Sequence, residues 1–463
     1  MVMQRPVLDL QRVGPREPPD PSHRSTVMNE RMDEHTALRL VEALDDGRLD
    51  ELFQADHIDY AEREAFALTR IKLGLPREAV VHLMGSIRRA QGLTVVAGSW
   101  GDYAGWVTLS AELVELLHLI DVRSGFDFHS ASGLPDDEIK HLKNQILIEE
   151  VLSLGLTAGE LSPVDEGELA QAKGGARRML REGTDPATEY ERWVLRFYEM
   201  MQRLPELAAE PLTITRLRDL HAQLVLDDTQ GGVYRTEVLE GSEAGHLPEG
   251  RGALPDRISS EMNTIAAYGT ENQKPFVHPL IKTIVYFYWI RRVQPFAVAN
   301  GLFARLIAHI YEYQQGYRFL PFTPLTRTAA DVWASAPASA DETSFDATAF
   351  VIERLNVFLG AYVAAEMEID AAVRRTRMLR ARFRRLDINL RQARILNKAL
   401  AVPTTVFTIR RHARSWSLAY ETARQDFLQL VSVGYLEQTK RGRVYEFRLA
   451  KDAERRLTPL LSH

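Results

Sequence analysis

Cysteine is absent from the 463 residues, which excludes disulfides, thiolate nucleophiles and thiolate-bound zinc. A bilayer-spanning run is missing as well: the longest apolar stretch, "PLIKTIVYFYWI", is too short and carries Lys282. The opening "MVMQRPVLDLQRVGPREPPDPSHRST" lacks the continuous apolar segment of a signal peptide. Its Pro, Arg and Asp content reads as a disordered leader, residues 1–35, with Met28 or Met32 as alternative starts. Repeats and low-complexity tracts are missing too. These absences point to a cytoplasmic protein with no membrane partner and no cysteine chemistry.

What is present is ordinary for a globular chain: 45% hydrophobic and 26% charged residues, in a length suited to about three domains. The net charge of −6 hides an asymmetry. From Arg374 onward there are 21 Lys and Arg against 7 Asp and Glu, about +14, so the preceding residues carry about −20. Nucleic-acid binding, if any, belongs to the last fifth of the chain.

Apolar periodicity is helical for most of the length, so the expected fold class is mainly α. Residues 36–188 read as an N-terminal helical region of unknown role, although "AQGLTVVAGSWGDYAGWVTL" within it is irregular. Residues 189–365 hold longer, one-sided helices interrupted by the glycine-rich, β-leaning "QGGVYRTEVLEGSEAGHLPEGRGALPD". Residues 366–386 form a basic linker helix, and 387–456 a compact C-terminal unit.

The stretch "VQPFAVANGLFARLI" looks like a turn opening a helix. An Asn-Gly pair there offers backbone N–H groups and a positive dipole end, so Asn300 and Gly301 are candidate anion ligands. Arg305, on the first turns of the helix, is placed to reach a phosphate. A tight helix–helix turn with an exposed arginine is the plainer alternative. His278 precedes Pro279 and suits a helix cap; His309 lies one turn beyond Arg305.

In order and spacing, "GGVYR", the glycine-rich interruption and this turn resemble the Fic (Fido) family, whose signature is H-P-F-x-(D/E)-G-N-G-R-x-x-R. The resemblance implies a Fic-type helical bundle with a β-hairpin flap, here Thr236 to Pro255, able to pair with a partner peptide strand. It also implies AMP transfer from ATP, with the signature His as base and the acidic residue on Mg²⁺. Here Gln294, Val298 and Leu302 stand at the base, metal-ligand and first phosphate-arginine positions, while Asn300, Gly301 and Arg305 match. An amide is no general base, a role worth a factor of roughly 100 to 10,000, and an isopropyl group cannot hold a hard cation. The expectation is therefore a pseudoenzyme with no catalytic residue, no metal and no required cofactor, though ATP or another nucleotide could still bind. The family's inhibitory Glu would fall at Ala158 in "LTAGE". An enzyme with displaced groups, a protein adenylyltransferase or related nucleotidyl or phosphoryl transferase, is the alternative.

The C-terminal stretch resembles a winged helix-turn-helix, a domain many Fic proteins carry at this end: a helix from Asn389 to Leu400, a second near Phe407 to Arg414, and a third from Leu418 to Val433 capped by Ser417. A hairpin turning at Gly442 would form the wing. Tyr420, Glu421, Thr422, Arg424 and Gln425 would face base edges, and Lys440, Arg441 and Arg443 the phosphates. That implies a bacterial DNA-binding regulator or scaffold, with homodimerisation on paired half-sites. An interaction module without DNA binding is the other reading.

Overall fold

The computed structural model describes residues 38–39, 42, 46, 92–97, 104–124, 134–152, 166–226, 229–238, 252–270, 276–317, 344–442 and 444–461. The leader, most of residues 36–91, Ala158, most of the expected flap and Arg443 lie outside the described residues. Two compact units divide the chain, residues 1–55 with 63–84 and residues 56–62 with 85–463. Every element below belongs to the second unit, which is mainly helical.

The irregular stretch within the N-terminal helical region holds two strands. Strands β1 (Gly92–Ala97) and β2 (Ala104–Thr108) pair antiparallel, with a register shift between Thr94 and Val96. β3 (Ser344–Asp346), some 240 residues later, adds parallel to β2. Val95 and Val107 face the core, and the Thr108 N–H donates to the buried Thr348 hydroxyl at 2.8 Å. A strand whose partner is this distant gives little local signal.

Three helices follow: α1 (Ala111–Ser124), α2 (Asp136–Leu152) and α3 (Glu166–Glu182). The capping box of Thr188 and Glu191 starts α4 (Glu189–Gln202), and Thr213 caps α5 (Ile214–Leu224). Then come α6 (Pro255–Thr270), α7 (Pro279–Val293) and α8 (Asn300–Gln314). His278 accepts from the Leu280 N–H and caps α7, as its place before Pro279 predicts. α8 is the central helix, buried continuously from Gly301 to Glu312. α4, α5 and α7 contribute Phe197, Leu217, Leu220 and Ile290 to the same core.

α9 (Thr348–Arg382) is a single helix of 35 residues, so the stretch expected as a separate linker is its C-terminal half. Its first half packs Leu355 and Phe358 into the main core. One window is apolar enough to cross a membrane, yet half of it is buried within protein. Beyond its end, Phe383 enters a second core with Leu396, Phe427 and Phe447.

That second core holds the C-terminal unit together: α10 (Leu390–Ala401), β4 (Phe407–Thr408), α11 (Ile409–Ser415), α12 (Tyr420–Ser432), β5 (Leu436–Arg441), β6 (Val444–Leu449) and α13 (Ala453–Leu457). Phe427 stacks on Phe447 with ring centroids 4.4 Å apart. The sheet order is β4-β6-β5, and Gly442 takes φ 62° in the β5–β6 turn. Ser417 does not cap α12. It sits at φ 52°, and Ala419 precedes the helix with no side-chain cap.

Asp426 joins the helices of this unit. Its carboxylate accepts from Asn389 at 2.8 Å, Arg391 at 2.7 Å and His412 at 2.9 Å. Burial alone would raise its pKa, but the hydrogen bonds from His412, Arg391 and Asn389 prevail and hold it at about 2. A depressed carboxylate pKa adds stability above the unfolded value, lost as pH falls through the folded one. Discounted for partial solvent screening, this predicts a loss on the order of 1–2 kcal/mol between pH 4 and 2. Chemical denaturation of wild type and Asp426→Asn across that range should show a pH dependence smaller by that amount in the variant.

Candidate functional site

The turn between α7 and α8 is built on two left-handed residues that are not glycine, Gln294 at φ 45° and Ala299 at φ 61°. Each costs on the order of 1 kcal/mol, so surrounding contacts must hold the backbone there. Phe296, fully buried between them, stacks on the His221 ring at 3.5 Å and 7°. His221 accepts the Gly232 N–H at Nδ1 (3.0 Å) and, as the Nε2–H tautomer, donates to the Val298 carbonyl at 3.0 Å. Burial lowers its pKa to about 4.

Asn300 closes the same turn. Its Oδ1 accepts from the Phe296 N–H at 3.0 Å and its Nδ2 donates to the Phe296 carbonyl at 2.9 Å. The expected anion-ligand role of this side chain therefore competes with a structural one, since both amide atoms are engaged. It is Ala299, not Asn300, that adopts the left-handed conformation. Gly301 is buried as the second residue of α8.

Arg235, from "GGVYR", clamps the turn to Glu237 and Ala253. Its guanidinium donates to the carbonyls of Gln294 (2.7 Å), Glu237 (2.6 Å), Val293 (3.3 Å) and Ala253. The Arg235 N–H also bonds the Pro295 carbonyl at 3.0 Å, next to a bridge between Tyr234 and Phe296. Gly252 passes so close that a Cβ there would lie 2.6 Å from Arg235 Nη2. His221 and Arg235 were not singled out as site residues from the sequence; the "GGVYR" motif was the available signal.

The side chains expected to act here are disposed otherwise. Gln294 is buried, Leu302 lies in the core, and Val298 packs partly against it. Arg305, expected to reach toward a phosphate, is 5% exposed and forms an ion pair with Glu150 of α2. Glu150 Oε1 also lies 3.4 Å from His309 Nε2. Burial would raise the Glu150 pKa, but Arg305 and His309 outweigh it and keep the carboxyl below its usual range. Burial lowers His309 and, reinforced by Glu150, raises Glu312 well above the carboxylate range. Sequence spacing gave no sign of Glu150, which lies 155 residues from its partner.

The candidate DNA-facing residues form a separate group. Tyr420, Thr422 and Gln425 are exposed on α12, and Lys440 and Arg441 at the end of β5. Arg424 and Gln425 both donate to Glu421 at 2.8 Å.

Residues 211–311 match the Fic/DOC family, a span holding His221, Arg235, the turn and nearly all of α8. Among solved structures, a Fic family protein from Desulfovibrio desulfuricans G20 is similar at 16% identity and TM-score 0.43, over 74% of this chain and 97% of that one. Fic-1 from C. elegans aligns at 14% identity and TM-score 0.41, over 74% and 87%. IbpAFic2, in a structure covalently tethered to Cdc42, aligns at 14% identity and TM-score 0.34, over 72% and 99%. No curated protein matches the chain.

Removing one partner of a buried ion pair strands the other charge, which costs about 3–5 kcal/mol. Glu150→Ala should lose that much in urea denaturation, while Glu150→Met with Arg305→Met recovers most of it. Acid provides a second test. A histidine with a folded pKa below its unfolded value stabilises the fold only while neutral. As pH falls from 6.5 to about 4, His221 should withdraw up to about 3 kcal/mol. A flatter pH profile in His221→Gln checks it.

Proposed function

We propose that this chain, a Fic-domain protein with its Fic/DOC domain at residues 211–311, does not transfer AMP and works as a DNA-binding regulator or scaffold. The observation that carries the first half is the fate of the four chemical positions. Gln294, Val298 and Leu302 stand where the Fic signature has a base, a metal ligand and a phosphate arginine. Arg305, the charged residue that matches, is spent on Glu150 inside the core. Without a base near the target hydroxyl or cations on the phosphates, the stabilisation phosphoryl-type transfer requires is missing. The helix N-terminus at Asn300 and Gly301 could still receive an anionic ligand or nucleotide without Mg²⁺, and the flap a partner strand.

The second half rests on the C-terminal unit, which we read as a winged helix-turn-helix. The order of α10, α11, α12 and the β5–β6 hairpin supports that reading, as does the basic charge. In it α12 is the recognition helix, with Tyr420, Thr422, Arg424 and Gln425 toward base edges. Lys440, Arg441 and Arg443 on the wing meet phosphates, and two copies read paired half-sites. The Glu421 carboxylate could accept from a cytosine amine, or give way to free Arg424.

The test has two arms. Purified full-length protein incubated with isotope-labelled ATP, with and without Mg²⁺, should label neither itself nor added protein. Label transfer to itself or to the added protein would overturn the pseudoenzyme reading in favour of an adenylyltransferase. Titration with short duplexes from 50 to 200 mM salt should show binding whose log–log salt slope shrinks by about 2 in Lys440→Ala/Arg441→Ala. An unchanged slope favours an interaction module without DNA binding.

A further inference from the structure

A second site lies away from the turn, where the C-terminal unit meets α2 and α3. Here a cavity of about 830 Å³ is walled by α2, α3, the end of α9, α10 and α11. Among the described residues, eight Arg and Lys side chains line it and no Asp or Glu does. Five of the eight have a carboxylate partner outside the lining. Arg391 meets Asp426 at 2.7 Å, Arg394 meets Glu138 at 2.6 Å, and Arg181, Arg375 and Arg411 lie 3.6–3.9 Å from Glu149, Glu368 and Glu182. Arg382, Lys398 and Arg414 have no carboxylate partner among the described residues, and Arg382 donates instead to Asn397 at 2.5 Å.

We propose that this cavity binds a small polyphosphate ligand, a molecule carrying two or more linked phosphates. Three cations without a carboxylate partner among the described residues share one recess and favour a multiply charged anion, and arginine forks match phosphate oxygens two at a time. The volume suits a small molecule and is far too small for a DNA duplex. Partial burial, then repulsion from Arg411 and Arg181, lowers the Lys398 pKa, a tension that a bound anion would relieve. Trp416 is not a free stacking platform, because His141 stacks on it at 4.6 Å and Arg394 lies 5.4 Å from its centroid. Recognition is thus of the phosphates first, with Asn144, Gln145 and Thr408 the neutral polar groups nearby. Since the walls come from both sides, the ligand would also fasten the C-terminal unit against α2 and α3.

Thermal unfolding of the full-length protein tests this with two probes, sodium tripolyphosphate and ATP, each against sodium chloride at matched ionic strength. Both should raise the melting temperature by several degrees at millimolar concentration. Equal effects identify phosphate alone as the recognised chemistry, and a larger effect of ATP adds the nucleoside. Lys398→Glu and Arg414→Gln should each weaken binding at least tenfold, whereas Lys440→Glu/Arg441→Glu on the wing should leave it intact. Unliganded Lys398→Gln should melt no lower than wild type, because it removes a repelled charge rather than a contact. No shift beyond the salt control would overturn the proposal. So would a shift that survives the cavity variants, or one lost only with the wing variant.

Discussion

Everything at the turn depends on one buried guanidinium. Arg235 finds no carboxylate among the described residues; backbone carbonyls neutralise it instead, and two of them, Val293 and Gln294, are at the C-terminal end of α7. That is the negative end of the helix dipole, where a cation is favoured. The same group bonds Glu237 and Ala253, so one side chain ties two segments far apart in sequence to the helix end. Burial lowers the Arg235 pKa, as desolvation of a cation must, yet arginine stays charged well above neutral pH. Lysine, with a compact ammonium, could not reach four carbonyls in one plane.

Held in this way, the turn keeps two left-handed residues without the help of glycine. Ala299 is the informative one, since a Cβ there is tolerated only because the Asn300 side-chain amide clasps the Phe296 backbone N–H and carbonyl and His221 lies flat on the Phe296 ring. The geometry of the helix opening is thus maintained by interactions independent of Gln294, Val298 and Leu302 side chains. Chemistry at those positions can disappear while the scaffold persists. Below the turn, Arg305, His309 and Glu312 lie along one stripe of α8, at spacings of four and three, and Glu150 answers the first two. A polar stripe in the most deeply buried helix is costly unless paired. The pairing with α2 therefore fixes which face of α8 meets which helix.

Local signals were legible where local physics decides. The helices of the core follow from apolar spacing, His278 before Pro279 announced the start of α7, and Asn389 followed by Gln392 marks a capping box for α10. The turn itself was found from Asn-Gly. Its internal bonding was not, because Asn300 could equally have served as cap, ligand or clasp, and only the position of Phe296 decides among them. Long-range pairings stayed hidden for a plain reason: Glu150 with Arg305, and β2 with β3, join segments whose separation leaves no periodicity to read. Ser417 misled because a serine ahead of a helical pattern ordinarily caps it, whereas a left-handed φ turns it out of that role.

Two helices carry the relation between the halves of this architecture. α9 places Leu355 and Phe358 in the main core and passes without a break toward Phe383 in the second, so the C-terminal unit is continuous with the main core rather than hung on a flexible tether. α2 touches both as well. His141 donates from Nδ1 to the Ser415 carbonyl at 2.5 Å and Asn144 to that of Arg414 at 3.3 Å, while Glu150, two to three turns further along, grips Arg305. At 1.5 Å per residue, Asn144 and Glu150 are about 9 Å apart on one rigid rod. A displacement of α2 driven from either end must therefore be felt at the other, through packing alone. The buried Tyr198 hydroxyl, bonded to Asn144 at 2.5 Å, anchors the rod between them to α4. Any signal between the turn and the C-terminal unit has to move that anchor or leave α2 in place.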